Sequence, residues 1–392
     1  MPLPPDFTLL QVAPELETGG VEQTTVDVAA AVARAGGRAL VASRGGRMTD
    51  RLLAAGGRLF AMPAHSKNPL TIAANAGRLI RLVRREGVSL IHARSRAPAF
   101  SALWAARATG TPFVATYHGV YNARSGLKRW YNAVMTRGDV VIANSEFTRA
   151  HVIAEHGVAP ERVIAIPRGV DLARFDPAAV SDERVGALRR AWGVEAEDRR
   201  VKVLLAGRLT RWKGQALLVE AAARLKAQGR EDFLILLAGD DQGRAGYRAE
   251  LEAAVAAAGL GGQVRLVGHC DDMPAAYLLA DLAAAPSLDP EAFGRTAVEP
   301  QVMGRPVLAA DHGAFRETMR PGETGWLIAP GDAAAWAAAL AAAIALPAET
   351  RRRMGEAGQA RARRLYSVDA MCAATLDVYE GVLEARRRQP RS

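Results

Sequence analysis

Val201-Lys202-Val203-Leu204-Leu205-Ala206-Gly207-Arg208-Leu209-Thr210-Arg211-Trp212-Lys213-Gly214 decides the fold. Its first six residues form an apolar run too short for a core helix, broken only by Lys202, and read as a strand buried on both faces. A glycine-punctuated polar loop with three cations follows at once. The same grammar recurs downstream at Phe233 to Ala238, Val264 to Val267, Leu282 to Ala285 and Val307 to Ala309, with helical segments between. Upstream, strands are expected at Phe7 to Val12, Arg38 to Ser43, Leu90 to His92, Phe113 to Tyr117, Val140 to Ala143 and Val163 to Ile166. Helices are expected between them, at Ile72 to Arg85 and Phe100 to Thr109 among others. In the helix after the first strand, Val21, Val28 and Val32 share one face. Strands alternating with helices imply parallel sheets covered on both sides.

The polar stretch Asp171 to Arg200, with Pro177, interrupts the pattern and reads as an interdomain connection. A chain of 392 residues accommodates two such domains, expected at 1–175 and 176–364. A closing amphipathic helix is expected from Leu365 to Arg388, within 365–392. With 49% hydrophobic and 23% charged residues the composition is that of a soluble globular protein. Its two cysteines, Cys270 and Cys372, lack metal-ligand spacing, which fits a reducing compartment. Met1 to Phe7 shows no secretory signal pattern, so a cytoplasmic location is expected, with peripheral contact at the inner membrane face.

The net charge of +10 is unevenly spread. Residues 1–175 hold 22 Lys/Arg against 12 Asp/Glu, whereas the remainder holds 29 of each. Residues 44–137 carry 16 basic side chains and two acids, Asp50 and Glu86. Such a field favours an anionic surface or substrate, or else is a solvated arginine-rich face.

Ligands of open parallel sheets bind beyond the carboxyl ends of the strands. Residues just after expected strands are therefore the candidates. Gly19-Gly20 precedes a helix whose first amides suit a phosphate, although a glycine pair there is often only a turn. No G-x-G-x-x-G pattern accompanies it, which counts against a dehydrogenase. Arg208 and Lys213 suit a diphosphate, the first as a planar fork and the second as a point charge. Glu291 and Glu299 frame a Phe293-Gly294 turn and the start of a helix from Thr296, where carboxylates can accept from sugar hydroxyls. By spacing alone the two glutamates mean little. His118, at a strand end before Gly119, is balanced between a structural and a functional reading. Asp240-Asp241 and Asp271-Asp272 read as turn or cap residues.

Together Gly19-Gly20, His118-Gly119, Asn144 to Thr148, Arg168-Gly169-Val170-Asp171, Gly207-Arg208 to Lys213-Gly214 and Glu291-Ala292-Phe293-Gly294 to Glu299 resemble family 4 glycosyltransferases, retaining enzymes of the GT-B fold. The resemblance runs from about Leu9 to Trp326 and includes Gly304-Arg305-Pro306-Val307. It implies two Rossmann-like domains facing across a cleft, with the last helix crossing back to the first. Arg208 and Lys213 would then neutralise the donor diphosphate and Glu299 would bind the ribose. Glu291 would contact the sugar, and the backbone around Phe293, Gly294, Arg295 and Thr296 would position the donor. Gly19, Gly20 and His118 would meet the diphosphate and the reacting sugar. The substrate implied is a nucleotide-diphosphate sugar, with no cofactor and no metal. Arg168 stands where the family usually has Asn, and Arg295 and Thr296 replace commoner aliphatic residues.

Leu127 to Met135 reads as a basic amphipathic surface helix. With Arg81, Arg84, Arg85, Arg94 and Arg96 it is expected to approach an anionic membrane or acceptor, such as lipopolysaccharide core or a glycolipid. Three rivals stand against transfer: a basic nucleic-acid-binding protein, a non-catalytic sugar binder, and an epimerase of the same fold. No nucleic-acid motif supports the first.

Overall fold

The computed structural model describes residues 3–17, 19–121, 125–243 and 245–388. The counts and absences below refer to these residues. The chain forms two units, one taking the residues through Gly169 and again from Val368, the other Val170–Ser367.

In the first unit the elements are β1 (Thr8–Val12), α1 (Gly20–Arg34), β2 (Arg38–Ser43), α2 (Thr49–Ala54), β3 (Gly57–Ala61), α3 (Pro69–Glu86), β4 (Leu90–Ala93), α4 (Arg96–Thr109), β5 (Phe113–Tyr117), α5 (Gly126–Asn132), β6 (Val140–Ala143), α6 (Glu146–His156) and β7 (Val163–Ala165). The second unit has α7 (Asp182–Ala191), β8 (Val201–Ala206), α8 (Gln215–Ala227), β9 (Phe233–Ala238), α9 (Ala245–Ala257), β10 (Val264–Gly268), α10 (Met273–Leu279), β11 (Leu282–Ala285), α11 (Arg295–Val302), β12 (Val307–Ala310), α12 (Phe315–Thr318), β13 (Gly325–Ile328), α13 (Ala333–Ala345) and α14 (Ala348–Leu365). The chain then returns to the first unit with α15 (Val368–Arg388).

The strands pair in parallel in the orders β3-β2-β1-β4-β5-β6-β7 and β10-β9-β8-β11-β12-β13. Strand order reverses at β1/β4 in one sheet and at β8/β11 in the other, so each unit has one switch point. Alternation along each strand feeds two cores. Leu10, Leu40 and Ile91 pack under α3 and α4, while Leu9, Val41 and Leu90 meet α1 and α15. In the second unit Val203, Leu205 and Ile235 face α8 and α13, and Leu204 and Leu236 face α10.

Three expectations need correction. β3 and β13 were not anticipated, and both are edge strands whose Gly57 and Gly325 dilute the apolar signal. The stretch 171–200 is not only a connection. Ser181 caps α7 by accepting from the Arg184 amide, and Arg184 pairs with Asp272 at 2.7 Å. The last helix does not begin at Leu365, because the Tyr366 carbonyl accepts from the Val170 amide at 2.7 Å and breaks the chain between α14 and α15. No single helix is long and apolar enough to cross a membrane.

Candidate functional site

In the second unit three loops that leave the carboxyl ends of β8, β11 and β12 are braced to one another. The Leu288 amide donates to the Trp212 carbonyl at 2.7 Å, and the Ala314 amide donates to the Glu291 carbonyl at 2.9 Å. His312 Nε2 donates to the Ser287 carbonyl at 2.8 Å. Gly214, with φ +77°, lets the first two loops meet, since a Cβ there would lie 2.0 Å from the Pro286 carbonyl oxygen. Through this bracing Lys213 Nζ reaches Glu291 Oε1 at 2.6 Å, with the two side chains only 13% and 12% exposed. Ser287 Oγ donates to the same oxygen at 3.0 Å, and the Lys213 ammonium lies 4.5 Å from the Trp212 ring centre. A cation fixed this way, at the switch point of a buried sheet, is preorganised for an anion.

Beside the pair, Gly294 begins α11 at φ +80°, where a Cβ would strike the Phe315 ring at 2.5 Å. The Arg295 and Thr296 amides that open α11 have no intrahelical acceptor and carry the positive end of the helix dipole, whereas Ala297 already donates to the Gly294 carbonyl at 2.9 Å. One turn on, Glu299 Oε1 lies 3.3 Å from Arg295 Nε, and Glu299 Oε2 accepts from the Tyr277 hydroxyl at 3.3 Å. Burial pushes the Glu299 carboxyl above its usual range, against the opposing pull of Arg295 and Tyr277. Thr296 Oγ1 is buried without a hydrogen-bond partner. The Phe293 side chain belongs to the core, edge-on to Tyr366 at 5.6 Å, so only its backbone is left for a ligand. Arg208 is exposed and lies 3.5 Å from Gln242 Oε1, while its carbonyl accepts from buried Gln215. Among the described residues no three His, Cys, Asp or Glu side chains are grouped to hold a metal ion.

In the first unit Gly19 stands at the N-cap of α1 and Gly20 is its first residue, and His118 directly follows β5. A Cβ on Gly20 would fall 1.8 Å from Arg168 Nη1, and Arg168 Nη2 is 3.0 Å from His118 Nδ1. Arg168, noted for standing where the family usually has Asn, thus joins the two candidates. Arg94 and Arg96 also depart from expectation, because neither is free to face a membrane. Arg94 is 1% exposed and bound by Nε and Nη2 to Gln11 Oε1 at 2.7 and 2.5 Å. Arg96 lies over the Tyr121 ring at 3.9 Å and donates to Asn132. Their position directly after β4, at the switch point, was the available signal. By contrast Leu127 and Trp130 on α5 are 77% and 52% exposed beside Lys128 and Arg129.

His92, between the Tyr379 hydroxyl at 2.6 Å and Thr116 Oγ1 at 2.7 Å, is held well below its usual pKa by burial and then by Arg94. His118 is lowered in the same way, by burial and then by Arg168. Below about pH 6.5 the unfolded chain binds protons that the folded one refuses, so stability falls as pH falls. Urea unfolding at pH 7.5 and 5.5 should show a loss of about 2–3 kcal/mol from the two groups together. A flat profile would mean that both of them charge in the folded state, and half the loss that one of them does.

Family models match most of the chain: Glycosyltransferase Family 4 over residues 18–174 and Glycosyl transferases group 1 over residues 191–361. A D-inositol 3-phosphate glycosyltransferase of Salinispora tropica is 34% identical over 265 residues, 65% of this chain and 54% of the relative. The chain thus spans about half the length of the curated relatives it matches. A Rickettsia africae glycosyltransferase structure superposes with a TM-score of 0.88 at 31% identity, covering 96% of this chain and 99% of that one. Anabaena Alr3699/HepE, solved with UDP-glucose, gives a TM-score of 0.78 at 25% identity, with 95% and 99% covered. With two parallel α/β units, loops braced at the switch points and these matches across both, the chain belongs to the family 4, group 1 glycosyltransferases of the GT-B fold.

Proposed function

We propose that the protein transfers a sugar, with retention, from a nucleotide-diphosphate donor to a hydroxyl of an anionic acceptor. The buried Lys213–Glu291 pair carries this reading. As the glycosidic bond breaks, negative charge grows on the leaving diphosphate and positive charge on the sugar. Lys213 and the first amides of α11 meet the former. Arg208 swings from its exposed place on Gln242 to join them. Glu291, already oriented by Ser287, accepts from sugar hydroxyls, and Glu299 accepts from the ribose. His118, Gly19 and Gly20 serve the reacting end of the donor. The neutralisation is done by side-chain cations and helix amides, and no resident metal or cofactor is assigned. UDP-sugars are favoured as donors by the likeness to the UDP-glucose complex of HepE.

The acceptor carries phosphate or comparable charge, because the whole charge excess lies within residues 1–175. The curated relatives named for D-inositol 3-phosphate agree with that chemistry. A glycolipid or lipopolysaccharide core of the bacterial envelope, approached from the cytoplasmic face by α5, is the acceptor class we favour.

The test is release of nucleoside diphosphate from UDP-, GDP- and ADP-sugars, with glycolipid offered in anionic or neutral vesicles and with a soluble sugar phosphate. Acceptor-stimulated release from one donor, greater on anionic vesicles, is expected. Sugar conversion without any acceptor would point to an epimerase, and donor binding without turnover to a sugar binder.

A further inference from the structure

His118 is held on three sides within the first unit. Its amide donates to the Tyr121 hydroxyl at 3.4 Å, its carbonyl accepts from Asn144 Nδ2 at 3.0 Å, and Arg168 Nη2 lies 3.0 Å from its Nδ1. A guanidinium has donors only and stays charged in proteins. Nδ1 facing it must therefore present a lone pair, and the single proton of the neutral ring must sit on Nε2. That Nε2 is buried and makes no well-aligned hydrogen bond within the chain. Buried polar atoms are seldom left so, and one at a strand end facing the candidate site is open to a ligand. Burial and the charges of Arg168 and Arg94 disfavour the imidazolium and outweigh the opposing pull of the Arg94 backbone, so the alternative of two ring protons is suppressed.

Arg168 can stand there only because residue 20 has no side chain. Its Nη1 occupies the position a Gly20 Cβ would take, 1.8 Å away. The glycine pair at the head of α1 therefore does more than admit a phosphate.

We propose that Arg168 is a positioning residue, seated over Gly20, that fixes His118 as the Nε2–H tautomer and so presents Nε2–H as a hydrogen-bond donor to an oxygen of the bound nucleotide sugar. The role of His118 toward substrate rests on the glycosyl-transfer reading. The tautomer itself does not.

Nitrogen-15 imidazole spectra of the ligand-free full-length chain at pH 7.5 test it, with His118→Asn assigning the signal. The wild type should show His118 wholly protonated on Nε2. Arg168→Asn should admit the Nδ1–H form, and Gly20→Ala should do the same by pushing the guanidinium aside. Arg168→Lys, which keeps a donor, should restore the wild-type signature in part. In turnover assays Arg168→Asn and Gly20→Ala should each lower kcat/KM about 10²-fold, and the double variant should be no worse than either, because both act through one contact. An Nδ1–H or charged His118 in the wild type overturns the proposal. So does an unchanged tautomer in Arg168→Asn, or in Gly20→Ala should the former not fold. If the tautomer is fixed but no nucleotide sugar binds, the transfer reading fails and the positioning role stands.

Discussion

Lys213→Ala should lower kcat by about 10²- to 10³-fold, the loss seen when one preorganised charge-stabilising group is removed. The same substitution should also destabilise the protein, since it leaves the Glu291 carboxylate nearly buried with only Ser287 as a partner. Removing one member of a buried pair costs about 3–5 kcal/mol when the other stays charged, and the slight exposure here places the expected loss toward 3. The two effects separate in the double variant Lys213→Ala/Glu291→Gln. Without the stranded charge, urea unfolding should recover most of the lost stability, while nucleoside diphosphate release stays at the low level. Recovery of turnover in the double variant would show that Lys213 serves only to neutralise Glu291.

Gly214→Ala should be as damaging without touching any charge. Its φ of +77° costs an alanine about 1–2 kcal/mol, and the new methyl group would sit 2.0 Å from the Pro286 carbonyl oxygen. That oxygen is backbone and cannot rotate away, so the loops after β8 and β11 must separate. A total loss of about 3 kcal/mol or more is expected. Turnover should fall about 10²-fold, because Lys213 and Glu291 ride on the displaced loops. Gly229→Ala is the matched control: its φ is +76°, and nothing lies within 4 Å of the added Cβ. It should pay for the backbone alone. Equal stability losses in the two variants would show that the loops have room to move.

Both sheets were legible because their central strands are apolar runs, unbroken in Phe233 to Ala238 and broken only by Lys202 in Val201 to Ala206. The rule that ligands gather beyond strand ends made Lys213 and His118 candidates, while Glu291 gained its role only from the family resemblance. What escaped was of two kinds. Edge strands such as Gly57–Ala61 lack apolar alternation, since one side of them is never covered by a neighbour. Buried cations were harder still. Arg94 reads as surface charge in one dimension, and only the three-dimensional neighbourhood of Gln11 and Thr116 shows that it is enclosed. Arg168 was visible as an unusual residue, but its seat over Gly20 is separated from it by most of the first unit's sequence.

The return of α15 to the first unit has a consequence for synthesis. Met371, Tyr379 and Val382 cover Leu9, Val41 and Leu90, and Tyr379 closes the hydrogen bond to His92. These residues leave the ribosome only after Val170–Ser367 has been made. At about 5–20 residues per second, that interval is on the order of 10–40 s. Throughout it the part of the first sheet's face that α15 covers stays open beside α1. Holdase chaperones should therefore engage the early half of the chain, and a stop codon shortly before Val368 should yield a soluble second unit tethered to an aggregation-prone first one.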